Sequence, residues 1–465
     1  MLEFKKVSDM SDIKKIKKYI EETDSHFSTL NLPGFLVWRN LYPREYCIVN
    51  DTLVLREYNP DGKFKSHFFM PMGRDIPKVL DQIEEYCRKT CTELVFANLT
   101  HEEAHMLEDR YPINNIFYDR SWSDYIYLAE DMRSFAGKKF SGQRNHINKF
   151  KKFYGEHVYN EITPQNKDDV LSFLKEYAEG KSLSTDTEKE ELQRIPEIIE
   201  NFEELGMVGG FVTVDNKIIA LSMGMVKSDM LFVNVEKADR SFEGAYQIMV
   251  QEFAKHNTDD NVLYINREDD MGLPGLRTSK LQYKPIEIKH KYYLHALTLF
   301  DSIKPEEKIK GERISLDDIS AKDADDFFRL STDTENNKYW GYDFNEDKDF
   351  INTPDYFIQF VQTMKETKEE YSLAIRYEDT FAGEIVFHNF DYKKGVEIGI
   401  RLLPEFQGLG LGTEAVKLAS EYARKVGAEQ IKMKCFKENN PSYNMIKKAH
   451  FKETCTDDTH IHFVL

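Results

Sequence analysis

The amino-acid sequence predicts an α/β protein built from mixed sheets. Short strand-like runs alternate with amphipathic helical segments along the whole chain. The order hairpin, strand, loop, helix and strand occurs at residues 207–266 and again at residues 371–435. Because 41% of the 465 residues are hydrophobic, the chain can fill several cores of this kind. We therefore expect several α/β domains in one chain.

Charge and cysteine content narrow the classes of function. The net charge of −18 disfavours a general affinity for nucleic acid or anionic lipid. The five cysteines are few and unpatterned, and no Cys/His cluster predicts a metal site. The beginning of the chain lacks the pattern of a signal peptide, and no apolar run approaches the ~18 residues of a membrane helix. We expect a cytoplasmic protein that binds neither metal nor membrane.

The first predicted domain covers residues 1–130 and shows no catalytic motif of its own. Its pattern predicts helices at 11–22, 76–91 and 101–110. Strands are expected at 94–98 and at 46–56, where Asn50 and Asp51 form the turn of a hairpin.

The second predicted domain covers residues 131–300 and begins with a basic segment. Residues 138–152 carry six Lys/Arg and no acidic residue, a pattern suited to binding phosphate or an RNA backbone. The alternative is a solvated helix whose Phe140, Ile147 and Phe150 face the core. The rest of the domain is expected to contain a hairpin at 207–226, strands at 230–236 and 262–266, and a helix at 245–256.

A polar linker is expected at residues 301–311, followed by a third domain at residues 312–465. From residue 312 to residue 349 the chain has twelve acidic and five basic residues. A cleft for a cationic acceptor and a solvated helix face are both compatible with this bias. Further on, strands are expected at 371–376, 381–387, 396–403 and 430–435, with a helix at 411–426.

The strand at 396–403 and the helix after it are joined by Gln407-Gly-Leu-Gly-Leu-Gly412. Glycines permit positive φ and leave no Cβ between the backbone and a bound phosphate, while a helix N-terminus attracts anions. No lysine follows as in a nucleotide P-loop, and glycines at 408, 410 and 412 do not match a dinucleotide fingerprint. The alternative is a plain turn in which glycine serves close packing.

The loop does match Gln/Arg-x-x-Gly-x-Gly/Ala, with Gln407, Gly410 and Gly412 at the defined positions. On a strand-loop-helix unit, this pattern resembles the coenzyme A pyrophosphate loop of the GNAT N-acetyltransferase superfamily. The resemblance implies acetyl-CoA as the cofactor. It implies cofactor contacts from Leu402, Leu403, Gln407, Gly408, Leu409, Gly410, Leu411, Gly412, Thr413 and Asn439.

The end of the chain carries a second part of this resemblance. Residues 438–451 are similar to the Glu-Asn-x-x-Ser…Lys-x-Gly-Phe ending of the ribosomal-protein N-terminal acetyltransferase branch, with His450 in place of the glycine. Trp340-Gly-Tyr also stands where that branch often carries an aromatic residue near its acceptor site. The matching residues of the ending are Asn439, Ser442, Lys448 and Phe451.

Amide formation defines the chemistry that such a domain needs. An amine is protonated at neutral pH, so a base must remove a proton before the nitrogen attacks the thioester. Glu397, turned off the apolar face of its strand, is the candidate base, and an exposed or ion-paired carboxylate is the alternative. A backbone N–H near Leu402 would stabilise the thioester oxygen. Ile446 stands where many GNAT enzymes have a tyrosine acid, so Ser442, Tyr443 or water is expected to protonate the thiolate.

Most of residues 1–295 carry a different resemblance. The segments GKKFSGQRNHINKF, VEKADRSFEGAYQ and YINREDDMGLPGLRTSK resemble the family related to the C-terminal domain of phosphatidylglycerol lysyltransferase. That family builds paired GNAT-like halves and is similar to the Fem peptidyltransferases, which use charged tRNA. The resemblance implies a bilobal acyltransferase fold here, and thus three GNAT-like units in the whole chain. The candidate cleft residues are Arg144, Asn145, Glu236, Asn266, Arg267 and Glu268.

Three functions are compatible with the sequence. In the first, the third domain transfers acetyl from acetyl-CoA to an amine of a small molecule or a protein N-terminus, and the N-terminal lobes select the acceptor. In the second, residues 1–300 also transfer an aminoacyl group from tRNA, which we expect to bind weakly at best. In the third, the folds have lost their chemistry and the protein binds or regulates, with Glu236 and Arg267 as a structural salt bridge. The sequence defines neither the acceptor nor the oligomeric state.

Overall fold

The computed structural model describes residues 2–58, 64–90, 92–179, 186–305, 307–340 and 353–465. These residues form three mixed sheets, which confirms the predicted α/β class. Contacts within the chain divide it into two compact units. The first contains Met1–Tyr86, Leu94–His105 and Ile116–Leu294, and the second contains Cys87–Glu93, Met106–Asn115 and His295–Leu465. Within the described ranges, no helix is both long and apolar enough to span a membrane.

The first sheet is built mainly from the earliest strands of the chain. They are β1 Lys5–Lys6, β2 Arg44–Val49, β3 Thr52–Tyr58, β4 Ser66–Phe68, β5 Met72–Gly73, β6 Leu94–Leu99 and β7 Asn114–Tyr118. The order is β1-β2-β3-β4-β6, then a later strand, then β7, while β5 pairs with β3. The helices are α1 Met10–Glu22, α2 Leu32–Val37, α3 Ile76–Lys89 and α4 His101–Arg110. Asn50 and Asp51 have φ of 50° and 52°, the left-handed geometry of the predicted hairpin turn.

The second sheet has the order β14-β8-β13-β12-β11-β10-β9. Its strands are β8 Asp124–Leu128, β9 Val158–Glu161, β10 Met207–Val214, β11 Lys217–Lys227, β12 Met230–Ala238, β13 Tyr264–Asn266 and β14 Glu287–Lys289. The next strand, β15 Tyr292–Ala296, returns to the first sheet. The helices are α5 Ala129–Ser134, α6 Ser141–Tyr154, α7 Lys167–Glu179, α8 Asp186–Glu200, α9 Ala245–Asn257 and α10 Pro274–Gln282. Phe140, Ile147 and Phe150 are buried, so the predicted core-facing side of the basic segment is confirmed.

A buried polar contact joins the second sheet to the short helical turn Ser28–Leu30 and to Lys291, just before β15. The carboxylate of Asp124, on β8, accepts hydrogen bonds from the Ser28 backbone N–H at 2.7 Å and from Asn266 Nδ2 at 2.9 Å. Lys291 Nζ lies 2.6 Å from the same carboxylate, and both charged side chains are buried. Each charge therefore compensates the other in a place that water does not reach.

Replacing Asp124 by alanine removes the nearer anion of the buried Lys291 ammonium and leaves it only Asp269, 3.6 Å away. We expect Asp124→Ala to lower the free energy of unfolding by about 3–5 kcal/mol, the usual cost of breaking a buried ion pair. Glu130→Ala is the control, because Glu130 is largely exposed beside Arg133 and its loss costs about 1 kcal/mol or less. Chemical denaturation followed by circular dichroism measures both variants. Equal effects would contradict the structural role of Asp124.

The third sheet has the order β16-β17-β18-β19-β20-β21-β23-β22. Its strands are β16 Ile309–Lys310, β17 Ile314–Asp318, β18 Glu370–Tyr377, β19 Thr380–His388, β20 Gly395–Leu402, β21 Gln430–Phe436, β22 Lys452–Thr456 and β23 His460–Val464. The helices are α11 Ala324–Thr332, α12 Thr334–Asn337, α13 Pro354–Glu366, α14 Leu411–Lys425 and α15 Asn440–Lys448. The apolar side of α14 packs on one face of this sheet, against residues such as Ile385 and Ile398. Phe327 of α11 and Phe357 of α13 pack on the opposite face, near Ala374.

The predicted elements agree with the observed ones to within two residues, with two differences. Helix α3 ends at Lys89, and Cys91, predicted inside it, lies outside the described residues. In the segment predicted as a linker, Ile309 and Lys310 form β16, the edge strand of the third sheet. An edge strand of two residues carries too little pattern to be recognised in a polar sequence.

Candidate functional site

The parallel strands β20 and β21 pair over three residues only and then separate. The paired residues are Gly395 with Gln430, Val396 with Ile431, and Glu397 with Lys432. Beyond Glu397, β20 continues to Leu402 while remaining paired with β19 on its other side. We call the opening between residues 398–402 of β20 and residues 433–436 of β21 the wedge. Among the described residues, no strand pairs with residues 398–402 on this side, so an extended ligand could add there as a further strand.

The glycine loop lies at the open end of the wedge, where β20 passes through a short helical turn at Pro404–Phe406 into α14. Gly408 and Gly410 have φ of 72° and 81°, a left-handed conformation that residues with a Cβ rarely adopt. Gly410 is the N-cap residue of α14 and provides no side chain there. The first N–H groups of α14 lack acceptors within the helix and lie at its positive end. Residues 407–410 are exposed, so this backbone can receive an anion.

Side chains from distant parts of the domain hold the loop in place. Gln407 Nε2 donates to Asn336 Oδ1 at 2.7 Å and to the Leu402 carbonyl at 3.0 Å. Arg313 donates to the Leu409 carbonyl at 3.0 Å and also pairs with Glu414 at 2.9 Å. Gln407, predicted to contact the cofactor, is thus engaged with the protein itself. Asn336 and Arg313 were not predicted, because each lies more than 70 positions from the motif and has no pattern of its own.

The predicted residues of α15 are placed next to β21, on the far side of the wedge. Asn439 Oδ1 accepts the Ser442 backbone N–H at 3.2 Å, so Asn439 caps the helix. Tyr443 Oη lies 3.4 Å from Glu453 Oε2 and donates to it. A Cβ on Gly412 would lie 2.9 Å from Met445 Sδ, so glycine permits the close approach of α14 and α15.

The face of the sheet opposite α14 carries a row of titratable groups. Strand register aligns Glu370 of β18, His388 of β19, Glu397 of β20 and Lys432 of β21. We call these four residues the polar row. Since Glu397 belongs to the last paired position of β20 and β21, the row crosses the closed end of the wedge.

Glu397, the predicted base, is surrounded by partners. Its carboxylate lies 3.8 Å from His388 Nε2 and 3.3 Å from Lys434 Nζ, and it accepts from Asn389 Nδ2 at 3.1 Å. Burial raises the pKa of this carboxyl, but His388 and Lys434 outweigh burial and hold the pKa below its ordinary value. Glu397 is therefore an ion-paired anion of reduced basicity.

His388 and Glu370 were not predicted. Burial lowers the pKa of the His388 imidazole, and Glu397 offsets only part of this effect. Burial, reinforced by Glu384, raises the pKa of the Glu370 carboxyl to about 7. In the sequence, Glu370 is only a polar residue at the beginning of a strand and His388 a polar residue at the end of one. Such residues are common and do not by themselves indicate a function.

Four residues from the polar row along β19 and β20, a buried ion pair and an aromatic ring lie on the same face of the sheet. Arg401 Nη2 donates to Glu384 Oε2 at 2.6 Å, and Arg401 Nη1 donates to Asn337 Oδ1 at 2.9 Å. The Trp340 ring lies 4.3 Å from the Arg401 guanidinium carbon. The same ring would be 3.2 Å from a Cβ on Gly399, so it covers that part of β20. Gly341 and Tyr342, predicted with Trp340, lie outside the described residues.

The first unit contains a similar separation of parallel strands. β12 pairs with β13 over Met230–Phe232 only and then continues to Ala238, where it remains paired with β11 on its other side. Beside this separation, Arg267 Nη2 lies 2.8 Å from Glu236 Oε1, and Asn234 Nδ2 donates to Glu268 Oε1 at 3.0 Å. Asn266 donates to Asp124 and to the His26 carbonyl. Burial, reinforced by Asp269, raises the pKa of Glu268 to about 8.

Four of the six residues predicted for the first unit are therefore brought together, and two are not. Arg144 donates to the carbonyls of Phe135 and Gly137, at the start of α6. Asn145 is exposed on the same helix. Among the described residues, neither hydrogen-bonds to Glu236, Arg267 or Glu268.

The pKa of Glu370 makes the stability of the third domain depend on pH. Because the pKa is raised from 4.5 to about 7, the folded state keeps a proton that the unfolded state loses. Stability then falls as pH rises from about 4.5 to about 7. We expect Glu370→Gln to be more stable than the wild type by about 1–3 kcal/mol at pH 8 and equal to it near pH 4. Thermal unfolding at both pH values measures this, and an equal difference at both would contradict it.

Comparison with protein families gives two matches. Residues 19–295, more than half of the chain, match the family described as phosphatidylglycerol lysyltransferase, C-terminal. Residues 313–452 match the acetyltransferase (GNAT) domain. Both resemblances drawn from the sequence are confirmed. The second match identifies a GNAT acyltransferase domain, a kind that uses acyl-CoA.

Similar proteins span parts of the chain. A conserved protein of unknown function from Bacteroides thetaiotaomicron VPI-5482 is 32% identical with a TM-score of 0.57, covering 64% of this chain and 100% of that one. A putative ribosomal-protein-serine acetyltransferase from Vibrio cholerae is 17% identical with a TM-score of 0.29, covering 35% of this chain and 99% of that one. An uncharacterized protein of Mycoplasmoides gallisepticum (strain R(low / passage 15 / clone 2)) is 23% identical over 203 residues, 43% of this chain. This chain spans 64% of that relative.

Proposed function

The chain belongs to the phosphatidylglycerol lysyltransferase C-terminal family and carries a GNAT acetyltransferase domain, and from this premise we propose that residues 312–465 transfer acetyl from acetyl-CoA to an amine. The observation that carries the proposal is the wedge between β20 and β21, with the glycine loop at its open end. A backbone edge next to an anion-binding helix N-terminus suits a ligand with an extended amide chain and a pyrophosphate.

The described residues fit that cofactor. The backbone of residues 408–413 would hold the pyrophosphate, because Gly408 and Gly410 leave the N–H groups uncovered. Residues 398–402 would pair with the pantetheine arm. From Leu402 to Glu397 the strand extends about 17 Å at ~3.4 Å per residue, a length that the arm can follow. Bound acetyl-CoA supplies the activated acyl group as a thioester.

The protein's own groups would then serve the transfer. A β20 N–H on the wedge side, near Leu402, would stabilise the developing oxyanion. Ser442 and Tyr443, at the beginning of α15, are the proposed donors of a proton to the departing thiolate. Glu397 is proposed to help remove a proton from the acceptor amine, either directly or through a neighbouring residue.

The first unit is proposed to select the acceptor or to carry a second acyl transfer. The separation of β12 and β13, lined by Glu236, Arg267 and Glu268, supports the second possibility. A role for tRNA finds little support in the basic segment. The Arg144 guanidinium donates hydrogen bonds to backbone carbonyls. Lys139 forms an ion pair with Asp131, and Lys149 forms one with Glu243. We place the enzyme in the cytoplasm because the described cysteines are free thiols, as a reducing compartment keeps them.

Calorimetric titration with acetyl-CoA tests the cofactor site. We expect the wild type to bind with a dissociation constant between about 1 μM and 1 mM, the usual range for enzyme ligands. Gly410→Trp should weaken binding at least tenfold, because the indole would fill the loop. Lys425→Trp, at the exposed opposite end of α14, is the control and should bind as the wild type does.

Circular dichroism of each variant separates a lost site from a lost fold. No binding by folded wild type would refute the proposal. Equal binding by Gly410→Trp would place the cofactor elsewhere. With binding established, spermidine and a short peptide with a free N-terminus are the first amines to test as acceptors.

A further inference from the structure

The polar row holds two residues for which the proposed transfer gives no role. Glu370 of β18 and His388 of β19 stand side by side on the face opposite α14, and His388 is directly opposite Glu397, which marks the closed end of the wedge. An acyl group held in the wedge would reach this end of it, where β20 and β21 meet. His388 is therefore one strand, and Glu370 two strands, from the place on β20 where an amine would attack.

The contacts of Glu397 leave it poorly suited to accept a proton directly. His388, Lys434 and Asn389 all contact its two oxygens. A carboxylate that is already paired with a cation, here Lys434, loses part of its basicity. It is well suited to hold a neighbouring imidazole, as a carboxylate does in many proton-transfer sites.

His388 has the contacts and the charge state of a proton acceptor. Its Nε2 lies 3.8 Å from Glu397 Oε1, close enough for an electrostatic contact but longer than a hydrogen bond, and its side chain is 22% exposed, so the ring remains reachable. The charged groups that act on it are Glu397 on β20, Lys434 on β21 and Glu384 on its own strand, with Glu370 beside it on β18. Burial lowers the pKa of the imidazole, which keeps the ring neutral near pH 7.

Glu370 differs from the other carboxylates of this face. Glu384 is paired with Arg401, and Glu397 is paired with Lys434. In the part of the chain that the structure describes, the Glu370 carboxylate has neither a hydrogen bond nor an ion pair. A half-buried carboxyl without a partner is costly for the fold and is suited to a cationic ligand.

We propose that His388 accepts the proton of the acceptor amine, that Glu370 binds the same amine as an ammonium ion, and that Glu397 positions the imidazole. The inference rests on the proposed acetyl transfer. One proton of the ammonium moves to His388 and later to solvent. The nitrogen then forms a bond to the thioester carbon, and the C–S bond breaks. Ser442 or Tyr443 gives a proton to the thiolate and is reprotonated by the second proton that the nitrogen loses. The acceptor class is therefore a primary amine that is cationic at neutral pH.

The role of His388 is tested by removing the imidazole and restoring it in solution. His388→Ala should lower kcat with spermidine or the peptide at least about 100-fold, the usual contribution of a general base. Added imidazole should restore part of this rate, in proportion to its neutral form. The affinity for acetyl-CoA should stay unchanged. His450→Asn is the control, because His450 is exposed after α15 and asparagine tolerates its φ of 72°.

The role of Glu370 predicts a different kinetic effect. Glu370→Gln should raise KM for the amine about tenfold, because a charge-assisted contact is lost, and should change kcat less. In the wild type this KM should fall as pH rises through about 7, where the carboxyl ionises. Glu366→Gln, an exposed carboxylate on α13, is the control.

Two outcomes would overturn the inference while leaving acetyl transfer intact. The first is an unchanged kcat in His388→Ala when acetyl-CoA still binds. The second needs no acceptor: an NMR titration of the histidine ring signals, with His388 assigned from the variant, in which His388 is already protonated at pH 7.5. Failure of acetyl-CoA to bind the wild type would instead refute the proposed function itself.

Discussion

The C-terminal domain depends on one constraint, which is that β20 and β21 stop pairing after Glu397 and Lys432. A parallel pair that separates leaves backbone groups without a partner, and such groups need either water or a ligand. The separation also fixes what surrounds the opening. The glycine loop and the N-terminus of α14 lie at its open end, and the polar row crosses its closed end. The proposed cofactor contacts and the proposed acceptor chemistry thus lie along the same strand.

The first unit shows that this architecture does not determine the chemistry. β12 and β13 separate in a similar way after Phe232 and Asn266. The residues beside them are different: an Arg267–Glu236 ion pair, and a Glu268 whose pKa is raised by burial. The loop before α9 contains Gly244 but not the glycine series of the third domain. The two matched regions of this chain therefore share a separation of parallel strands and place different groups along it.

The sequence predicted the elements and the strand-loop-helix geometry of the glycine loop because both depend on local pattern. The alternation of residues along β20 correctly predicted that Glu397 lies on the other face of the strand from the buried Ile398. The spacing of apolar residues predicted the helix at 411–426. What the sequence did not predict depends on strand register and on distant partners. His388 and Glu370 become neighbours only through the pairing of β18 with β19. Gln407 hydrogen-bonds to Asn336, which lies 71 positions away in the sequence, and a local motif cannot predict such a distant partner.

Hydrogen–deuterium exchange with and without acetyl-CoA tests the central claim most directly, because it reports on the backbone that the wedge leaves unpaired. The account predicts slower exchange at residues 398–402 and 408–413 when acetyl-CoA is present, with no change at residues 233–238 of β12. Protection at residues 233–238 alone, or unchanged exchange along β20 in a protein that binds acetyl-CoA, would contradict it. The first of these results would move the cofactor to the first unit.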